Sequence, residues 1–173
     1  MDLIRNLIQE IEVLKSQKNF KGALDLLQEN ILNYNNDYRL YEEIADIYLY
    51  EGQIWKAKKA IDFALNINWE SATGNYLKWF ILLSNNKFDD AIKYLSKSNK
   101  LMPNNAEVLR NLWWAYSMIW ESEKWIFILK RALNLSPEDR LISEDLAMAL
   151  IWIWKLKEWN FLLEKIWKRT VQI

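Results

Sequence analysis

The sequence repeats itself with a period of 34 residues along its whole length. Shifting it by one period superimposes five blocks without insertions: 4–37, 38–71, 72–105, 106–139 and 140–173. Three positions of the block keep their chemical character: position 11 holds Leu14, Tyr48, Leu82, Tyr116 and Leu150; position 20 begins with Ala23, Ala57 and Ala91; position 24 holds Leu27, Ile61, Leu95, Leu129 and Leu163. A fixed period of this size is typical of stacked supersecondary units whose neighbours cover each other's apolar faces.

Each block reads as two helices. Apolar residues recur at helical spacing in two stretches of about 13 residues per block. Short polar breaks separate the stretches, such as Glu51-Gly52-Gln53 within a block and Pro103-Asn104-Asn105 between blocks. The pattern predicts one all-α repeat domain over 1–173, with ten antiparallel helices and turns inside the blocks near 17–19, 51–53, 85–87, 120–122 and 154–156.

The composition argues against several kinds of chemistry. The chain has no cysteine and no histidine, which excludes disulfides and thiolate metal sites and removes the commonest general base. It carries 23 basic and 23 acidic residues, so no excess of positive charge favours a nucleic-acid partner. We expect a protein that is not an enzyme and needs no cofactor or metal.

The distribution of apolar residues predicts a soluble, cytoplasmic protein. The first residues, MDLIRNLIQEIEVLK, mix charges with apolar side chains and contain no secretory hydrophobic segment. The longest apolar run, 146–154, is far shorter than the roughly 20 residues that span a bilayer. No membrane span is therefore expected.

The block pattern resembles the tetratricopeptide repeat (TPR) family, and the resemblance covers all five blocks. It implies a right-handed α-solenoid whose first helices line a concave groove that binds a segment of another protein. It also places block positions 2, 5, 9, 12 and 13 in that groove. By this correspondence the groove is charged towards its N-terminal end and apolar towards its C-terminal end. The predicted partner-binding residues are Arg39, Tyr76, Phe80, Arg110, Trp114 and Met148.

Three functions fit this resemblance, and one familiar specificity does not. A protein-interaction module or assembly scaffold comes first; a non-catalytic repeat region detached from a larger enzyme or regulatory protein is the alternative. The third is a nucleic-acid binder, which would need a basic inner face, and that face is missing from the sequence. One subset of the family clamps carboxylate tails of chaperones with Lys and Asn at positions 5 and 9, and no block here has that pair. For the aromatic groove residues, the competing interpretation is that they pack against neighbouring helices and never contact a ligand.

Tryptophan stands where the family has small residues. Positions 8 and 20 are small in the family because paired helices touch there, and position 15 is often Gly because the turn needs a left-handed backbone. In this chain those positions include Trp79, Trp113, Trp120, Trp125, Trp154 and Trp159. Overpacking costs about 1–3 kcal/mol per site, and backbone strain about as much. The chain has 11 Trp and only 3 Gly.

One hypothesis explains this pattern: several of these tryptophans are glycine in the living protein, because UGA codons were translated as tryptophan. A repeat protein repacked around large aromatics, or an engineered chain, are the alternatives. The hypothesis predicts that the indoles of Trp113, Trp120 and Trp125 are displaced outward, or that their two helices are splayed. It also predicts that replacing the three residues together with glycine raises the melting temperature.

Overall fold

The computed structural model describes residues 3–118, 122–153 and 156–170, and helices joined by short turns make up this part of the chain. These residues contain ten helices and no strand. The helices are α1 (Leu3–Ser16), α2 (Phe20–Ile31), α3 (Tyr38–Tyr50), α4 (Ile54–Ile67), α5 (Ala72–Ser84), α6 (Phe88–Leu101), α7 (Ala106–Ser117), α8 (Ser122–Leu135), α9 (Arg140–Trp152) and α10 (Leu156–Thr170). The all-α prediction of two helices per block is confirmed.

The helix starts follow the sequence period. Helices α3, α5, α7 and α9 begin at Tyr38, Ala72, Ala106 and Arg140, each 34 residues after the one before. The turns predicted at 17–19, 51–53 and 85–87 lie between helices as expected. The turns predicted near 120–122 and 154–156 fall partly outside the described residues.

The last residue of a block caps the first helix of the next. A short polar side chain accepts a backbone N–H of the first turn at each of these caps: Asp37, Ser71, Asn105 and Asp139. Such a side chain satisfies a donor that has no partner inside the helix, and it contributes about 1 kcal/mol. The caps therefore determine where these repeats begin, and their spacing of 34 residues makes the helix starts predictable from the sequence.

The turn inside each of the first three repeats uses a left-handed backbone at position 15. The φ angles are 58° at Lys18, 71° at Gly52 and 57° at Asn86. Residues with a Cβ enter this region at a cost, and glycine does not. All three described turns therefore have the backbone conformation that favours glycine. Trp120 and Trp154 occupy the same position of the last two repeats and lie outside the described residues.

The helices assemble into two compact units, Met1–Tyr94 and Leu95–Ile173. In the first unit each of the helices α1 to α4 packs against the next one, and α1 and α5 also contact α3. In the second unit the successive pairs from α7 to α10 pack in the same manner. The expectation of a single domain stays a prediction.

Each unit has its own apolar core, built from the fixed positions of the repeat. Full burial at the position-20 alanines and at most position-24 residues comes from the apolar stripe that each helix turns towards its neighbours. The fully buried members are Ala23, Ala57, Ala91, Leu27, Ile61, Leu95 and Leu129. In α10, Leu163 at position 24 keeps 42% of its surface exposed.

The prediction that misfit indoles are displaced is wrong for the two that the structure describes. Trp113 is 4% exposed and Trp125 is 2% exposed, and their helices α7 and α8 remain packed together. Trp79, at position 8 of the preceding repeat, is also buried, at 4%. Losing a buried Trp side chain costs about 3–5 kcal/mol, more than the roughly 1–3 kcal/mol of an unsatisfied donor. The indoles therefore stay inside, although Nε1 of Trp79 and Trp113 finds no acceptor among the described residues.

Candidate functional site

Position 9 of the later repeats carries large side chains that remain exposed. Phe80 on α5, Trp114 on α7 and Met148 on α9 expose 41%, 36% and 45% of their surfaces. None of the three is absorbed into a core, so packing against neighbouring helices does not account for them. They are accessible at the position where the family resemblance places the groove.

In the second unit, Trp114 and Met148 are two of six exposed apolar side chains carried by α7, by its C-terminal cap residue and by α9. We call this surface the α7–α9 apolar face; its members are Trp114, Met118, Leu141, Met148, Ile151 and Trp152, each at least 36% exposed. Those on α9 recur at spacings of seven, three and one residues, which keeps them on one side of the helix. Exposed apolar residues gathered on one face, rather than scattered singly, indicate an interaction surface.

A cavity of about 420 Å³ opens at one end of this face. Its lining includes Ser117 and Met118 at the end of α7, Trp125 on α8 and Trp152 on α9. The rings of Trp125 and Trp152 meet edge to face, with centroids 6.1 Å apart. The volume lies in the range that accommodates a large side chain or a small ligand.

An ion pair joins α7 and α9 beside the apolar face. The guanidinium Nε of Arg110 donates to Oδ2 of Asp145, whose residue is 8% exposed. A buried carboxylate needs a partner, because removing it from water without one is costly. Arg110, predicted to contact a partner, thus already serves as the counter-charge of Asp145 and holds the two helices side by side.

The predicted site residues of the first unit have different surroundings. Tyr76 is half-buried against the core, and its ring lies 5.4 Å from that of Trp79. Phe80 meets the same indole edge to face, with ring centroids 6.1 Å apart. Arg39 pairs with Asp37, the cap of its own helix, and this hydrogen-bonded guanidinium holds the pKa of Asp37 below its usual value. Of these residues, Phe80 is the one with a largely open ring.

A lysine in the first unit ties α1 to α3. Nζ of Lys15 lies 2.7 Å from Glu12, 2.9 Å from Glu43 and 2.6 Å from Asp46. Burial by itself would lower the pKa of Lys15, but the hydrogen bonds that its ammonium group donates to these carboxylates raise the pKa above its ordinary value. Its side chain is only 10% exposed, so the ammonium group is a fixed part of the structure. The charged residues that the sequence assigned to the groove here, Glu12, Lys15 and Asp46, are paired with one another.

Lys15→Met is expected to lower the free energy of unfolding by about 2–3 kcal/mol. The substitution keeps most of the apolar stem but leaves three carboxylates facing one another without a cation. Urea denaturation at neutral pH and low salt measures the loss. Lys21→Met, at an exposed position of α2, serves as the control and should change stability by less than about 0.5 kcal/mol. Equal stability of the two variants would contradict the assignment.

Glu42 departs from its predicted place in the groove. It is 6% exposed, and Oε1 has no donor among the described residues. Gly74 on α5 leaves room for it, since a Cβ there would lie 2.7 Å from Oε1. Burial, aided by the neighbouring charges of Glu43 and Asp37, raises the pKa of Glu42 to about 7, while a hydrogen bond with Ser71 works in the opposite direction. The sequence pattern does not predict the burial of Glu42, because a carboxylate at a groove position is expected to be solvated.

Among the described residues, no group of three or more acidic side chains is placed to hold a metal ion. Within the same part of the chain, every helix is too short or too polar to cross a bilayer.

Comparisons with known proteins identify the fold. No protein-family model matches the sequence, and none of the curated proteins is similar to it at a significant level. Among solved structures, MamA from Desulfovibrio magneticus RS-1 superimposes with a TM-score of 0.79 at 19% identity, covering 97% of this chain and 95% of that one. PilF from Pseudomonas aeruginosa gives 0.81 at 14% identity, with coverages of 93% and 75%. A chain of an APC/C hetero-tetramer gives 0.75 at 14%, over 82% of this chain and 28% of that one. The ten helices, the 34-residue register and these neighbours together give the conclusion that the chain has the tetratricopeptide repeat fold.

Proposed function

We propose that the chain is a protein-interaction module that binds a peptide segment of a partner against the α7–α9 apolar face. The observation that supports this proposal most strongly is the exposure of this face. Six large apolar residues on α7 and α9, the first helices of the fourth and fifth repeats, remain open to solvent. Structural neighbours with this fold are protein-interaction scaffolds, which supports a scaffold role for this chain. Catalysis has no support in the chemistry of the chain, which lacks histidine and cysteine.

Within the proposed surface, Trp114 and Met148 are the anchors. Large, rigid side chains surrounded by other apolar groups contribute most of the binding energy at interfaces, and aromatic residues are enriched among such anchors. Methionine adds a flexible thioether that adapts to the shape of the ligand. The cavity beside Met118 and Trp152 provides a place where a large side chain of the partner fits. The ligand is therefore an apolar or mixed segment rather than a carboxylate tail.

The other predicted site residues take supporting roles in this proposal. Phe80 offers a comparable exposed ring in the first unit, and Tyr76 positions it through their shared contact with Trp79. Arg39, on α3 of the first unit, keeps Asp37 paired. Arg110 keeps Asp145 paired beside the α7–α9 apolar face and acts there as a polar contact at the edge rather than as an anchor.

Substitution of the anchors tests the function. Peptides selected for binding from a random library are titrated against the chain and its variants. Trp114→Ala and Met148→Ala should each weaken binding about tenfold or more, while helicity and melting temperature stay nearly unchanged. Phe80→Ala is examined in the same titration for the first unit.

Phe161→Ala is the matched control, because Phe161 is an exposed aromatic residue (69%) on α10, outside the proposed surface. If it weakens binding as much as Trp114→Ala does, the assignment of the surface is wrong. A large loss of stability in Trp114→Ala would instead assign that residue to the core.

The alternative is that the chain is a non-catalytic repeat region of a larger enzyme or regulatory protein. It has the support of one comparison, since the chain spans 28% of the matched APC/C chain. A longer open reading frame encoding a further domain in continuity with these repeats would favour it.

A further inference from the structure

A second opening lies in the second unit on another side of α7. This α6–α8 cleft has a volume of about 460 Å³ and lies between the end of α6, α7 and α8. Leu109 and Leu112 of α7 form an apolar floor, and both are buried. Phe127 of α8 stands at the margin with 70% of its surface exposed. The cleft therefore combines a closed apolar base with an open aromatic edge, and it shares no residue with the α7–α9 apolar face.

The margin of the cleft is positively charged. Lys100, Lys124 and Arg131 belong to its lining, and none of the described lining residues is a carboxylate. Arg131 donates to the neutral side chain of Asn104, at 2.9 Å, so that contact leaves its charge uncompensated. Lys124 lies 5.0 Å from the ring centroid of Tyr116. Lys100 and Arg131 beside an apolar base favour a ligand that is apolar in the middle and anionic at its edges.

We propose that the α6–α8 cleft is a second docking site, which binds an acidic amphipathic segment of a protein partner. One bulky apolar side chain of that segment rests on Leu109 and Leu112 beside Phe127. Flanking carboxylates contact Lys100 and Arg131. The site is independent of the groove function proposed above, so the chain can join two partners through different faces of α7.

A direct titration tests this. The probe is a fluorescein-labelled peptide with a Phe-Leu pair flanked by glutamates, measured by fluorescence anisotropy against the full chain. The same peptide with lysines in place of the glutamates is the comparison ligand. We expect the acidic peptide to bind, to lose affinity as salt rises, and to bind at least about tenfold more tightly than the lysine peptide.

Charge-reversal variants locate the site. Lys100→Glu combined with Arg131→Glu should weaken binding of the acidic peptide at least about tenfold, and Phe127→Ser should weaken it with no change in melting temperature. Lys87→Glu reverses a charge at an exposed position of the first unit and serves as the control for a general change of net charge. Its affinity for the acidic peptide should stay within about twofold of that of the unmodified chain. Trp114→Ala is added to separate this site from the groove, and it should have no effect.

Four results would overturn the proposal. One is equal binding of the acidic and lysine peptides; another is equal weakening by Lys87→Glu and by the double variant. The third is binding of phosphatidylserine vesicles without binding of the acidic peptide, which would make the cleft a lipid site. Loss of binding in Trp114→Ala, with the cleft variants unaffected, would place the peptide in the groove instead.

Discussion

Replacing Trp120 and Trp154 with glycine is expected to raise the melting temperature by on the order of 5–10 °C. Both residues occupy position 15, where all three described repeats have a left-handed backbone. A bulky residue in that conformation carries strain of about 1–3 kcal/mol, and each kcal/mol corresponds to about 2–4 °C in a chain of this size. Trp113 and Trp125 are left unchanged, because both are buried and their removal would add cavity costs to the turn effect.

Two controls bracket the expectation. Trp55→Gly removes an exposed indole, 64% accessible, from the first turn of α4, and it should not raise the melting temperature, because glycine does not favour a helix. Gly52→Trp places an indole at the one described turn that already has glycine, and it should lower the melting temperature. Scanning calorimetry of the four proteins gives the comparison. A fall in melting temperature for Trp120→Gly combined with Trp154→Gly would contradict the turn argument.

The codons of the gene test the hypothesis that Trp120 and Trp154 are glycine in the living protein. If the sequence hypothesis is right, the codons for residues 120 and 154 are UGA, and peptides from the natural protein carry glycine there. UGG codons at both positions would end the hypothesis for the turns. For positions 8 and 20 the hypothesis stays a prediction: burial of Trp113 and Trp125 fits a repacked helix pair, whereas the unpaired Nε1 of Trp79 and Trp113 fits an interface made for smaller residues.

The second large effect is expected at Glu42, whose substitution by glutamine should stabilise the chain at pH 8 by up to about 3 kcal/mol. Its pKa is about 7 when folded, against an ordinary value of 4.5 in the unfolded chain. Between these values the unfolded state releases the proton before the folded state does, so stability falls as pH rises from 4.5 to 7. Above pH 7 the full penalty remains, because the buried carboxylate is charged. Glutamine keeps the shape and carries no charge.

Urea denaturation at several pH values between 4 and 8 measures this effect. The Glu42→Gln variant should match the unmodified chain near pH 4 and exceed it increasingly towards pH 8. Glu29→Gln, at an exposed position of α2, is the control and should run parallel to the unmodified chain. A Glu42→Gln curve that also runs parallel to that of the unmodified chain would mean that the carboxyl is solvated.

Local chemistry explains why so much of the fold could be read from the sequence. A repeat is specified by short-range signals: the apolar spacing of each helix, the cap residue before it and the turn residue at position 15. These signals act within a few residues, so the period of 34 predicts helix starts at Tyr38, Ala72, Ala106 and Arg140 without any knowledge of packing. The exposed side chains Phe80, Trp114 and Met148 followed in the same way, from one shared position of the repeat.

The fate of each groove residue was decided by the tertiary structure. Positions 5 and 9 are four residues apart and differ by only about 40° around the helix, so the sequence pattern assigns both to one face. Packing separates them: Glu42 and Tyr76 at position 5 turn towards the neighbouring helix, and Arg110 at the same position pairs with Asp145. Position 9 stays open in the later repeats, whereas Asp46 at position 9 of the second repeat pairs with Lys15. Burial of Trp113 and Trp125 was also a tertiary outcome, since neighbouring helices provide the apolar surroundings that make it favourable. Sequence alone determined where the helices begin and turn, because those choices are local; which side chains at the groove positions stay exposed depended on contacts between helices.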